Sequence, residues 1–362
     1  VITSTFGIRA LRRALRERMP AEAFQPQPWR GVAAYVEMAA AGIVITAIVL
    51  AKLPWFANLL LSLVLGQMIV SVGLAAHEAL HQSVFRSRRA NQILGALGFA
   101  PLLVTPGLWV AWHVQAHHGS TNRSSRDPDA LMDVDAYHHR WLARMRARMS
   151  PGHRHWLSIA SLAYMFTLQG QVFLWVHCDE PAIRERVTLD RRRERILSVL
   201  LFAAWLALVA LLGRNALWIL VIPLLTANLT LMLYISTQHW IRPLVKDDDP
   251  VLTTVSVEVP RFFDWWHFGF SHHQEHHLFP RMSHKFGPLL RRTLREIEPR
   301  AVALLPLSRA LRAAFATPAL YRDDGTLVHE DGSGAVALDE LAQSLDLPAF
   351  EISSTRARES VP

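Results

Sequence analysis

Histidine is the residue type through which this chain could do chemistry. The sequence carries 18 of them, and most fall in four places. His77 and His81 flank Glu78 in "AAHEALHQSV". His113, His117 and His118 lie in "HVQAHH", and His239 stands in "STQHW". His272, His273, His276 and His277 crowd "SHHQEHHLFP". Spacings of three and four residues stack imidazoles on one face of a helix. Such clusters have little reason to recur unless a metal holds them, and imidazole suits Zn, Cu, Fe and Ni. His138, His139, His153, His155 and His329 lie outside these clusters and read as surface or satisfied residues.

His77-Glu78-x-x-His81 alone is the signature of a zinc protease, with the Glu as general base. That site needs three protein ligands and an open position. Here about nine His end at apolar segments, too many for one metal and a natural number for two. The expectation is a two-metal, all-imidazole site. It differs from soluble di-iron bundles, which use Glu and Glu-x-x-His.

The elements that must position these residues are apolar. Hydrophobic residues make up 51% of the 362, and they cluster into long runs. Runs 32–51 and 55–76 form one hairpin, 196–213 and 216–236 a second. About 20 helical residues cross a bilayer, so all four qualify. The turns at Lys52 and at Arg214-Asn215 carry little charge, whereas the other flanks are Arg-rich. The positive-inside rule therefore puts both ends of each hairpin in the cytoplasm. Two further stretches, 92–112 and 156–176, are expected to be re-entrant or interfacial. A single crossing by either would put the His clusters in opposite compartments. A metal transporter would need ionisable groups deep in the spans, and here the His lie at span ends.

The sequence thus predicts an all-α integral membrane protein. It has four transmembrane helices in two hairpins, re-entrant or interfacial helices, and a cytoplasmic His-rich cap. Residues 1–30 read as a basic cytoplasmic segment, with Ile8, Leu11 and Leu15 on one face of an interfacial helix. Residues 31–295 form the membrane domain. Residues 296–362 read as a cytoplasmic helix and a polar tail with turn signals at "DDG" and "EDGSG".

The net charge of +8 sits beside the spans, in runs such as "RSRRA" and "DRRRERI". That placement points to anionic lipid rather than nucleic acid. The lone Cys178 excludes an intrachain disulfide and reads as a small buried hydrophobe. No cleavable signal peptide is expected; the first apolar run near Val32 is long enough to anchor. Only Lys52, Lys246 and Lys285 are lysines. Abundant Arg and Ala suggest a GC-rich bacterial genome, hence a bacterial inner membrane. Gln67, Ser71, Thr226, Asn228 and Thr230, inside the spans, read as interhelical hydrogen-bonding residues. Trp109, Trp112, Trp265 and Trp266 flank the His clusters and read as interfacial anchors more than as channel wall.

"HEALH", "HVQAHHGSTN" followed by "RDPDA", "QHW" and "HHQEHHLFPRMSHKF" resemble, in this order, the histidine boxes of the membrane fatty acid desaturase family. The resemblance covers roughly residues 30–295. It implies O2-dependent desaturation of a fatty acyl chain, with two iron ions (Fe2+/Fe3+) as cofactor and O2 as co-substrate. Carried over residue by residue, the iron ligands are His77, His81, His113, His117, His118, His239, His273, His276 and His277. His272 and His267 are candidates for a further ligand or for support of one. Glu78 becomes a partner of a neighbouring His or a helix-end residue. Asn122, Asp127 and Asp129 become supporting or substrate-mouth residues. One position departs: where animal acyl-CoA desaturases carry Asn four residues before the lone His, this chain has Ile235.

The resemblance also implies a fatty acyl substrate, carried as acyl-lipid, acyl-CoA or acyl-ACP. With no "HPGG" haem segment at either end, it implies a separate ferredoxin or cytochrome b5-like donor and a reductase. A hydroxylase or acetylenase on the same scaffold is the alternative. A zinc protease resting on His77-Glu78-His81 is the remote one.

Overall fold

The computed structural model describes residues 7–348, apart from 125 and 154. The first six residues of the basic segment and the tail beyond 348 lie outside the described residues.

After a short helix, α1 (Ile8–Arg18), come two long ones, α2 (Pro28–Leu50) and α3 (Trp55–Leu80). Next are α4 (Arg88–Phe99) and α5 (Pro106–Trp109), the latter running on as a π-helix, Val110–His117. Then follow α6 (Met165–Trp175), α7 (Arg191–Leu212) and α8 (Ile222–His239). Past α8 lie α9 (His273–Leu278), α10 (Gly287–Ile297) and α11 (Leu307–Ala316).

Four helices among the described residues are long and apolar enough to span: 28–50, 55–80, 191–215 and 217–239. They are the two expected hairpins. Over their most apolar windows α3 and α8 are 56% and 44% buried, α2 and α7 only 11% and 6%. α3 and α8 therefore form the inner pair, and α2 and α7 face lipid. Small residues let the inner helices close up. A Cβ on Gly66 would lie 2.6 Å from Thr226 Cβ, and one on Gly98 of α4 would lie 2.6 Å from Ala76 Cβ. Polar groups bridge as expected. Gln67 donates to Thr230 at 3.0 Å and Asn228 to Thr167 at 3.2 Å.

The segment 88–117 bends by 95° between residues 102 and 106. Leu103 takes a positive φ and Pro106 opens α5, so the chain cannot continue straight. The stretch 156–176 is broken too, into Trp156–Ser161 and α6. Neither stretch is a single straight helix of spanning length.

Two expectations are corrected. The apolar face of α1 does not lie against lipid. Leu11 and Leu15 are fully buried against Leu278, Met282, Leu290 and Leu294. The reason is a complementary stripe: Leu290 and Leu294, one turn apart on α10, present a matching apolar face. Nor is the region after residue 316 only a polar tail. Strands β1 (Met132–Asp133), β4 (Leu320–Asp323), β5 (Thr326–Val328) and β6 (Val336–Ala337) form a sheet in the order β1-β4-β5-β6. Between β1 and β4 come β2 (Ser256–Glu258) and β3 (Leu304–Pro306), which pair in parallel. The "DDG" turn closes the β4–β5 hairpin, and Leu320, Leu327 and Val328 are buried.

Candidate metal centre

Four segments deliver imidazoles to one place. The C-terminal end of α3 brings His77, with His81 as its cap. The π-helix brings His113 and His117, and His118 follows it. α8 ends on His239. The short α9 supplies His273, His276 and His277. The π-helix matters here. At 3.6 residues per turn, positions five apart would diverge by about 140°. The wider winding instead closes a hydrogen bond from His118 N to His113 O at 3.0 Å. It brings their Nε2 atoms to 3.1 Å. Single π turns inside helices recur at functional sites.

Two sets result. His77, His81, His113 and His276 form one, and His117, His239, His273 and His277 the other. Within each set the ligand nitrogens lie within 4.8 Å of one another. His118 joins the first, its Nε2 3.0 Å from that of His276. All nine expected His are therefore brought together, and His77 and His113 meet across the bend at 102–106, their ring centroids 4.8 Å apart.

The residues fit metal ions and do not fit an empty hydrogen-bonded cluster. His77, His276, His118 and His113 make a chain of Nε2 contacts at 3.1, 3.0 and 3.1 Å. A neutral imidazole nitrogen either donates once or accepts, so three such contacts in a row cannot all be hydrogen bonds. In the second set His273 Nε2 sits 2.7 Å from His239 Nε2 and 3.1 Å from His277 Nε2. His81 Nε2 is buried without a partner. Metal–imidazole bonds of about 2.0–2.1 Å at right angles separate nitrogens by about 2.9 Å. Burial, reinforced by neighbouring imidazoles, holds His273, His276 and His277 well below the usual imidazole range. They are neutral, which is the ligating form.

The far nitrogens are oriented by partners, as metal-binding His usually are. Asp127 Oδ1 lies 2.9 Å from His117 Nδ1 and accepts from Asp129 N at 2.9 Å. Its Oδ2 accepts from Asn122 N at 2.7 Å. Asn122, at φ +50°, reaches the carbonyls of His239, Arg242 and Pro243 at 3.2–3.4 Å. It thereby ties the second box to the end of α8. Asp129 accepts from Trp112 Nε1 at 2.8 Å.

Glu78 is not placed as a protease base. Arg30 grips both of its oxygens at 2.6 Å, and His284 N donates to it at 3.1 Å. His284 Nε2 stands 3.0 Å from His276 Nδ1, with its own Nδ1 3.4 Å from Glu78. Sequence reasoning missed Arg30 and His284; the one available signal was the His in "SHKF", directly after the third box. His272 and His267 fall outside both sets. Arg291 donates to His272 Nδ1 at 2.7 Å, and His267 Nδ1 lies 3.1 Å from Tyr234 OH.

An apolar cleft leads into the bundle from His77, His113, His117, His239 and His273. It is walled by Leu74, Leu102, Phe166, Leu231, Ile235 and Phe270. The space between its atoms, mouth included, is about 550 Å³. Trp109 and Trp112 also line it and are 2% and 3% exposed. They are cleft walls, not interfacial anchors, because the bend at 102–106 turns their helix into the bundle. Trp265 remains exposed, and Trp266 Nε1 donates to Glu37 at 2.6 Å.

Residues 53–306 match the family model for fatty acid desaturases, over most of the chain and across all four His segments. The chain belongs to the fatty acid desaturase family. The chain is also similar, at 23% identity over 269 residues, to an acyl-lipid (9-3)-desaturase of Borago officinalis. The alignment covers 66% of this chain and 56% of that relative. The chain thus spans little more than half the length of the curated relative it matches. Membership accords with four apolar helices of membrane-spanning length.

Proposed function

We propose that this chain introduces a C=C double bond into a fatty acyl chain, using O2 at two irons. His77, His81, His113, His118 and His276 would hold one iron; His117, His239, His273 and His277 would hold the other. The observation that carries this reading is the meeting of four distant segments in two imidazole sets at the end of an apolar cleft.

An unactivated C–H bond has no acidic proton and no leaving group. A redox-active iron pair supplies the oxidising chemistry that such a bond requires. The balance is a –CH2–CH2– unit, O2, two electrons and two protons, giving –CH=CH– and two waters. The chain's own residues position and protect. Leu74, Leu102, Phe166 and Leu231 hold methylenes in register beside the imidazoles and leave little room for water. Trp109 and Phe270 pack directly on the His77 ring. Asp127 orients His117, and the Arg30–Glu78–His284 line orients His276.

The two electrons come from a separate ferredoxin or cytochrome b5-like protein and its reductase, docking on the Arg-rich face. That face is cytoplasmic by the positive-inside rule, in a bacterial inner membrane. The test is expression in a bacterium with a compatible reductase, followed by mass spectrometry of total fatty acids and elemental analysis of purified protein. About two irons per chain and new unsaturated acids are expected, following the ligand count. One zinc per chain with an unchanged fatty acid profile would overturn the reading.

A further inference from the structure

We propose that Tyr234 and Trp266 form an oxidisable line that returns electrons to the metal centre when O2 is consumed with no acyl chain in the cleft. This rests on the desaturase reading above, whose O2-oxidised irons are the oxidant, and it adds a protective activity to that site.

The line is built ring by ring. Phe270 packs on His77 and on His273, its centroid 5.4 Å from each. Tyr234 lies 5.6 Å beyond Phe270, and His267 lies 5.8 Å beyond Tyr234. Trp266 stacks on His267 at 6.0 Å. Phe262, 5.3 Å from Trp266, reaches Trp265 at 6.4 Å, and both Phe262 and Trp265 are exposed. Each step is within the range of packed aromatic pairs. The rings therefore run in contact from the imidazoles to the surface.

A phenol and an indole can give up an electron, and each is tied here through the proton it must then lose. An unpaired buried charge is costly, so electron and proton leave together. Tyr234 OH donates to His267 Nδ1 at 3.1 Å. His267 Nε2 is buried with no hydrogen-bond partner among the described residues, so the imidazole is directed at the phenol. Trp266 Nε1 donates to Glu37 Oε1 at 2.6 Å. Glu37 belongs to α2, a spanning helix, where a carboxylate marks function. Trp266 and Glu37 line a cavity of about 1400 Å³, mouth included, with Phe262, Trp265 and Lys285 around it. A small reductant reaches the indole there.

In desaturation the –CH2–CH2– unit supplies two electrons and two protons. Without it, the line supplies the electrons. Tyr234 passes one electron to the centre by way of Phe270, and its proton to His267. Trp266 then reduces the tyrosyl radical, which takes its proton back from His267, while the indole proton goes to Glu37. A thiol restores Trp266 with one electron and releases its own proton to water, and Glu37 returns the indole proton. Two passes oxidise two thiols to a disulfide. With two electrons from the protein donor and four protons from solution, they take O2 to two waters.

The test mixes the reduced, iron-loaded full chain with O2 in detergent micelles, without acyl substrate or thiol, freezes it rapidly and records electron paramagnetic resonance. An organic radical is expected, and Tyr234→Phe should lose it. In Trp266→Phe it should live longer and narrow on ring deuteration of tyrosine. Dithiothreitol should shorten its life in wild type. Iron content and desaturation of supplied acyl chains at the wild-type level in both variants report an intact centre. After repeated turnover without substrate, Tyr234→Phe should lose iron sooner than wild type and show oxygen added to box histidines in peptide mass spectra. No radical in wild type, or an equal radical in Tyr234→Phe, would overturn the proposal. So would a radical unchanged by tyrosine deuteration and kept in Trp266→Phe, as Trp109, packed 4.3 Å from His113, would give. A Tyr234 radical in a chain that never desaturates a fatty acid in a host with a reductase would instead overturn the desaturase reading and leave the line standing.

Discussion

Replacing Asp127 by Asn tests whether the buried carboxylate beside His117 sustains one metal position. The side chains are nearly isosteric, so packing is kept while the acceptor count changes. Oδ1 serves His117 Nδ1 and Asp129 N, each at 2.9 Å, and Oδ2 serves Asn122 N at 2.7 Å. An amide has one oxygen. If that oxygen faces His117, the NH2 meets the Asn122 N–H; if it faces Asn122, the NH2 meets two donors. Either way a buried N–H loses its acceptor, costing about 1–3 kcal/mol. Loss of such an orienting carboxylate typically lowers metal affinity by about 10–100-fold, or about 1.4–2.8 kcal/mol. Of the two four-imidazole sets His117 belongs to the second alone, while a third group joins it to His113 and Asp129. Asp127→Asn should therefore release one iron at a chelator concentration about 10–100-fold lower than wild type, with the second iron little changed. The assay is a chelator titration with elemental analysis of the retained protein. Release of both irons together, or none earlier than wild type, would refute the reasoning.

Three other outcomes are expected. His276→Ala removes the nitrogen that contacts both His77 and His118 and should abolish desaturation, whereas His329→Ala, beside the β5–β6 turn, should match wild type; fatty acid profiles of the expressing cells compare them. Reporter fusions at Lys52 and Asn215 should read as one side of the membrane and fusions at Arg148 and Arg192 as the other, so a shared side for Lys52 and Arg148 would sink the re-entrant assignment. Glu180 is pulled down to about 2 from 4.5, by the hydrogen bond from His177 first and then by Arg140, against burial. A depressed carboxylate contributes stability above its unfolded pKa and loses it as pH falls through the folded one. Hydrogen exchange of segments 141–148 and 181–184 should accordingly rise between about pH 4.5 and 2, and Glu180→Gln should flatten that rise.

Much of the metal centre was legible because its information is local. Each box is a short run in which His recurs at helical spacing, and only a metal explains several such runs at the ends of apolar spans. The two hairpins were legible for a similar reason, since membrane-spanning length and flanking Arg are properties of contiguous sequence. Arg30 and His284 were not legible. Each looks ordinary alone, and their meaning comes from meeting at Glu78, 48 and 206 residues away respectively. The true roles of Trp109 and Trp112 were hidden as well, because a tryptophan beside a box can face lipid or cleft until the bend at 102–106 is known.

The amino-acid sequence by itself thus carried the imidazole clusters, the four apolar spans and, from the two together, the expectation of one shared site. Tertiary structure decided the rest. It gathered eight of the nine His into two sets of four and placed His118 beside the first, since that depends on which nitrogens face each other across helices. It wound residues 110–117 as a π-helix, a register choice that single-residue propensities do not encode. It turned the α1 face inward onto α10 and paired Met132–Asp133 with Leu320–Tyr321, a strand contact between segments far apart in the chain. Local pattern reports which side chains share a face, and only the packed chain reports what that face meets.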